Sequence, residues 1–204
     1  MMGQKVLHSS EDVGWRTPAS LFELLEKVAE FGLDLAASRE TSLMDGLFLG
    51  PGSSLAEDAL NVSWRDFGKC GFLNPPYQRG SGNPSYDIAR WAKKAWEEGA
   101  HHGFETWGLF PYATQTAWWR RYVEGHAPGG WAGYAASEVW RFPRRVAFLP
   151  SEATAARMEA AFKAGARTSA KAGGAGHNVA VVIWRRNPGF VGIWQPAVRY
   201  WDFR

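Results

Sequence analysis

The chain has 204 residues, 46% of them hydrophobic, and a formal net charge of +3. That length suits one domain with a substantial core. No stretch approaches the roughly 20 apolar residues of a membrane span, and the N-terminus carries no charged-then-apolar leader. A lone cysteine, Cys70, excludes an internal disulfide and a cysteine-rich metal site, and the five histidines show no metal-ligand spacing. A cytoplasmic, metal-free protein is expected, with Cys70 packed rather than reactive.

In chain order, residues 1–14 show no periodicity and are expected to be a mobile start, with a single domain over 15–204. Thr17-Pro18 opens a helix, Thr17 as its cap and Pro18 in its first turn. Leu21, Phe22, Leu25, Val28 and Ala29 keep helical spacing through Phe31, and Gly32 ends the run. Leu33-Asp34-Leu35-Ala36-Ala37 reads as a short buried strand, and 39–56 as glycine-marked loop. Asp58-Ala59-Leu60 centres a second strand-like piece. A third, Gly71-Phe72-Leu73, leads into Asn74-Pro75-Pro76-Tyr77, after which 78–85 is polar and glycine-rich. An amphipathic helix follows at 86–99, a buried strand at 106–110 and a helix around 114–123. Strands at 138–142 and 146–149, a helix at 158–164, a Gly/Ala-rich loop at 167–176 and a strand at 179–184 complete the chain. This alternation predicts an α/β sandwich with a largely parallel central sheet.

The motif Asn74-Pro75-Pro76-Tyr77 has the clearest chemistry. Two prolines stiffen the backbone and remove two N–H donors, and Pro75 holds Asn74 extended. The loop presents one amide, one aromatic ring and backbone carbonyls with few internal partners. An exocyclic amine on adenine is a poor nucleophile because its lone pair is delocalised into the ring. The Asn74 side-chain carbonyl and the Pro75 backbone carbonyl can each accept one of its N–H bonds and favour a pyramidal nitrogen. Tyr77 would stack on the base, a contact worth about 1–3 kcal/mol. Asn before Pro is also an ordinary turn opener, and a following tyrosine can cap a core.

Twelve tryptophans are unusual for this length; many must be buried, while some line a groove suited to flat ligands. Charge is divided unevenly. Residues 1–102 hold ten Lys/Arg against fourteen Asp/Glu, and residues 103–204 hold thirteen against six. Arg120-Arg121, Arg144-Arg145 and Arg185-Arg186 interleave with Trp118, Trp119, Trp140 and Trp184. A solvated basic face would account for this, but beside an adenine-holding loop a nucleic-acid surface is the better explanation.

Taken together, the pieces form an ordered series. Trp15-Arg16-Thr17-Pro18 with Leu21-Phe22, Phe31-Gly32-Leu33-Asp34-Leu35-Ala36-Ala37-Ser38, Asp58-Ala59-Leu60 and Asn74-Pro75-Pro76-Tyr77 resemble, in that order, the phage-encoded Dam-type DNA N6-adenine methyltransferases. The strand, proline, threonine and tryptophans from Gly108 to Trp119, and Arg144-Arg145-Val146-Ala147-Phe148, extend the resemblance over about 13–185. It implies a Rossmann-like fold binding S-adenosylmethionine at the carboxyl ends of its strands, and double-stranded DNA as partner in a bacterial host cell. By position, Thr17 and Pro18 would meet the methionine end of the cofactor. Asp34, with Ala36 after it, would lie near its amino group or ribose. Asp58 would approach its adenine amino group, with Ala59 and Leu60 beside the ring. Asn74, Pro75, Pro76 and Tyr77 would hold the target adenine, flipped from the duplex, with Asn74 also touching the cofactor. Arg79, Arg120, Arg121, Arg144 and Arg145 would face DNA, and 78–85 is a flexible lid or a loop that orders on DNA.

Several alternatives stay open. Asp34 reads equally as a turn aspartate, Glu57 could serve in place of Asp58, and Glu40 and Asp45 are both candidates for the ribose hydroxyls. The loop after the first strand lacks the glycines of larger methyltransferases. Acceptors other than DNA, an RNA amine or a glutamine amide in protein, would use the same Asn-Pro-Pro-Tyr loop, and a degenerate DNA-binding module is the non-enzymatic alternative. No His or Cys base is expected, because the amine's proton can leave to solvent after transfer. The recognition sequence and oligomeric state are not encoded in any motif.

Overall fold

The apolar run Val179–Trp184 has a covered surface on both sides. A computed structural model describes residues 15–76, 83–126, 134–164, 173–174, 178–185 and 196–201. In it Val179, Val181 and Ile183 join one core cluster, and Ala180, Val182 and Trp184 join the other. Alternating side chains of a strand point to opposite faces, so an uninterrupted apolar strand needs both faces covered.

The strands in chain order are β1 (Leu33–Asp34), β2 (Cys70–Leu73), β3 (Glu105–Pro111), β4 (Glu138–Arg141), β5 (Ala147–Phe148), β6 (Gly173–Gly174), β7 (Val179–Trp184) and β8 (Ala197–Tyr200). Six of them form a sheet of order β1-β2-β3-β7-β4-β8, and β5 pairs with β6. β1, β2 and β3 run parallel, as do β4 and β8, while β7 lies antiparallel to both β3 and β4. Five of the six strands therefore share one direction and β7 alone opposes them, a largely parallel sheet as expected with one antiparallel strand inserted.

Helix α1 (Ala19–Glu26) covers one face with Leu21, Phe22 and Leu25, against Phe72, Trp107 and Leu109. Helix α2 (Ile88–Glu97) covers the other with Trp91, Ala92 and Ala95, against Leu73, Phe110 and Trp184. The Asp87 carboxylate caps α2 by accepting from Ala89 N–H at 2.9 Å. A third helix, α3, spans Glu152–Lys163.

Three sequence expectations need correction. Pro18, not Thr17, is the cap residue of α1, and Thr17 is buried. The helix stops at Glu26 rather than Phe31, because Phe31 leaves it to pack on Phe22 and Phe72, at centroid separations of 5.6 and 5.8 Å. Asp58-Ala59-Leu60 is a turn, not a strand. The Asp58 carboxylate accepts from Leu60 N–H at 2.9 Å and from Asn61 Nδ2 at 2.6 Å, a local closure that competes with strand pairing. The strand-like partner beside β1 is instead at Phe48, bridged in parallel to Asp34. β8 was absent from the sequence reading. The expected mobile start at 1–14, Tyr77, Arg79 and most of the 167–176 loop lie outside the described residues.

Candidate active site

Parallel strands deliver their carboxyl ends to one edge, and a cavity of about 510 Å³ opens there, the expected place for a ligand in an open α/β sheet. Asp34, Ala36, Ala37 and Ser38 form its wall after β1, and Asn74 and Pro76 its wall after β2. Leu49, Gly50 and Pro51 enter from the segment after Phe48, and Glu57, Asp58, Ala59 and Leu60 from the turn beyond it. Trp15, Arg16 and Thr17 complete it on the α1 side, with Ser85, Tyr86 and Trp91 near the start of α2.

Asn74 Nδ2 donates to the main-chain carbonyl of Trp15 at 3.1 Å. Trp15 is held in turn through its neighbour: Arg16 N–H donates to Leu149 O at 2.8 Å, and Leu149 N–H donates back to Arg16 O at 2.9 Å. The bond fixes which end of the Asn74 amide is which, with Oδ1 turned away from Trp15. Pro75 is buried in the wall behind.

Asp34 is 4% exposed. Burial pushes its carboxyl up to about 6, opposed by hydrogen bonds from the backbone N–H groups of Leu43 and Ala36. A carboxyl perturbed by burial at the wall of a cleft is a candidate for facing a ligand. Two further buried atoms on this wall, Thr17 Oγ1 and Arg16 Nε, have no partner among the described residues. Buried polar groups are nearly always paired, so these two are exceptions on the α1 side of the cavity.

Gly50 supplies what the loop after β1 lacks. Its φ is +139°, and a Cβ there would overlap the Ala37 carbonyl oxygen. Backbone therefore meets backbone closely at the cavity wall, through a glycine borrowed from a neighbouring segment. The signal in sequence is the cluster Gly50-Pro51-Gly52, which reads as ordinary loop.

Of the cofactor residues expected from sequence, Thr17, Asp34, Ala36, Asp58, Ala59, Leu60 and Asn74 all reach this cavity, as does Pro76. Pro18 does not: its carbonyl accepts from Leu21 and Phe22 N–H at the start of α1. Glu57 and Asp58 both line the cavity. Neither Glu40 nor Asp45 does; Glu40 is bonded to Ser38 Oγ, and Asp45 lines a separate hollow. Sequence reasoning missed Trp15, Arg16, Thr41, Gly50 and Tyr86 as lining residues. The Cys70 thiol is pushed up to about 12 by burial and by Glu105, so it is no nucleophile at neutral pH. Among the described residues no cluster of His, Cys, Asp and Glu is built to hold a metal ion, and no helix is long and apolar enough to cross a membrane.

The basic half divides in two. Arg120, Arg121, Arg144 and Arg145 are exposed. Arg185 is committed elsewhere, with Nη1 2.5 Å from Glu138, Nε 3.1 Å from Glu105, and its guanidinium over the Trp107 ring at 5.2 Å.

A mixed α/β sheet with a cavity at its parallel carboxyl edge and a proline-stiffened amide at the rim has the layout of a small-ligand site. The chain belongs to the Dam family of DNA N-6-adenine-methyltransferases, whose model matches residues 3–165. No curated protein and no solved structure matches the chain.

Proposed function

We propose that the protein transfers a methyl group from S-adenosylmethionine to N6 of an adenine flipped out of duplex DNA, at specific sites, on a Rossmann-like catalytic domain. The observation that carries this is the Asn74 amide, oriented by Trp15 at the rim of a cavity whose other walls hold Asp34 and the unpartnered Thr17 hydroxyl.

The cavity suits the cofactor. Its volume lies within the range of small-molecule sites. Arg16 lines it as a cation to offset a carboxylate, and Asp34 and the Glu57–Asp58 pair can meet amino groups or hydroxyls. Leu49, Ala59 and Leu60 offer apolar surface to a ring. When bound, the cofactor supplies a methyl group on a positively charged sulfur that needs no further activation.

The chain's own work is orientation and shelter. Asn74 Oδ1 and the Pro75 carbonyl accept the two N–H bonds of the target amine and direct its lone pair into the cavity. Pro76 stiffens the loop, and Tyr77 stacks on the base. The proton released after transfer passes to solvent. Arg79, Arg120, Arg121, Arg144 and Arg145 belong to the DNA-facing half in this reading.

The test is transfer of labelled methyl groups from S-adenosylmethionine to duplex DNA, RNA and protein in parallel. Label in DNA at adenine N6 is the expected result. Label confined to RNA or protein overturns the assignment, and absence of cofactor binding by calorimetry favours a degenerate DNA-binding module.

A further inference from the structure

The two ends of β4 carry arginines in opposite electrostatic settings. At its amino end Glu138 takes both Arg185 and Arg199, each at 2.5 Å, and with Glu105 3.1 Å from Arg185 two acids offset the two arginines. At its carboxyl end Arg141 has no carboxylate partner among the described residues. Its guanidinium instead lies 4.7 Å from the ring centroid of Tyr112 and 5.0 Å from that of Tyr200, and Nη1 donates to the Tyr200 hydroxyl at 2.8 Å. Tyr200 is 73% exposed.

The sheet register places this group. Arg141 pairs with Ala180 on β7, which pairs with Phe110 on β3, and on its other side with Tyr200 on β8. Leu73, one residue before Asn74, pairs with Gly108 on β3. Arg141 therefore stands at the same sheet end as Asn74, three strand spacings away, or about 14 Å. That is about four base steps along one DNA strand.

We infer that Arg141, held between Tyr112 and Tyr200, is a DNA-contacting residue of this protein, meeting the duplex within a few nucleotides of the target adenine. Aromatic rings on two sides hold a guanidinium in place without consuming its charge or all its donors. A fixed fork is what bidentate contact with a guanine edge or a phosphate requires. The inference rests on DNA being the substrate of the Asn74 site.

The test measures duplex affinity by fluorescence anisotropy on the full chain, separately from cofactor affinity and from methyl transfer. Arg141→Ala should weaken duplex binding about tenfold or more, with cofactor affinity unchanged. A loss equal on all sequences identifies a phosphate contact, and a loss confined to methylated sites a base contact. Arg141→Lys keeps the charge and loses the fork, and Tyr200→Phe removes only the exposed hydroxyl. Both should bind DNA more weakly with unchanged melting temperature, and they decide the matter if Arg141→Ala fails to fold. Wild-type affinity in all folded variants overturns the inference while leaving the methyltransferase reading intact. A wild-type protein that binds DNA through Arg141 but transfers no methyl overturns that reading alone.

Discussion

Asn74 and Trp15, 59 residues apart in sequence, meet through one hydrogen bond of 3.1 Å from the side-chain amide of Asn74 to the Trp15 carbonyl. An amide can present either oxygen or nitrogen to a ligand, and this bond selects the oxygen. Asn74→Ala should lower methyl transfer about 100-fold or more, a loss typical of removing one oriented polar group from a reacting centre, with a much smaller loss of cofactor affinity. Single-turnover kinetics and calorimetry separate the two. Leu149→Pro, which deletes the N–H bonded to Arg16 O, should lower transfer as well, although residue 149 lies outside the cavity.

Asp34 gives a pH dependence with a definite sign. Its carboxyl is raised from 3.8 to about 6 by burial, so between those values the native state holds more protons than the unfolded one. Stability falls as pH rises through that window, and the full cost, on the order of 3 kcal/mol, persists above pH 6. Asp34→Asn should therefore melt at higher temperature than wild type at pH 8, with the difference vanishing near pH 4. The same variant should bind S-adenosylmethionine weakly at every pH. Wild-type affinity should fall as pH drops below 6. Melting curves and calorimetry across pH 4–8 check each part.

Gly50→Ala is expected to be severe. The new Cβ would collide with backbone, not with a movable side chain, at a φ that L residues rarely adopt. Loss of cofactor binding or of soluble protein should follow. Gly46→Ala is the control: φ there is +69° with open space around it, so the cost should stay near the roughly 1 kcal/mol of a strained alanine. Equal melting temperatures for the two variants would contradict the close packing of Gly50 on Ala37.

Arg185→Met should separate structural from DNA-facing arginines. Removing it leaves Glu105 without its ion pair and Glu138 with Arg199 alone. The residue is partly exposed, so solvent screening limits the loss to about 1–2 kcal/mol. Melting temperature should drop while duplex affinity remains, the reverse of Tyr200→Phe.

By itself the sequence determined what depends on neighbouring residues. Proline torsions made Asn74-Pro75-Pro76 a stiff presenter of one amide, and an unbroken apolar run rich in β-branched residues made Val179–Trp184 a strand. The order of motifs from Trp15 to Asn74 pointed to the family that the match over 3–165 then showed. Local closure by the Asp58 carboxylate defeated the strand expected there, because a side chain competing for backbone N–H groups leaves no periodic trace. Only the tertiary structure decided which acid is buried, which glycine meets backbone and which arginine keeps its charge. Burial by the fold pushes the Asp34 carboxyl up to about 6, and Gly50 serves a loop that lies 13 residues earlier. Arg185 and Arg141 are the same residue type in similar aromatic settings, separated by whether carboxylates stand opposite them. Desolvation and charge pairing act through space, between segments that only folding brings together.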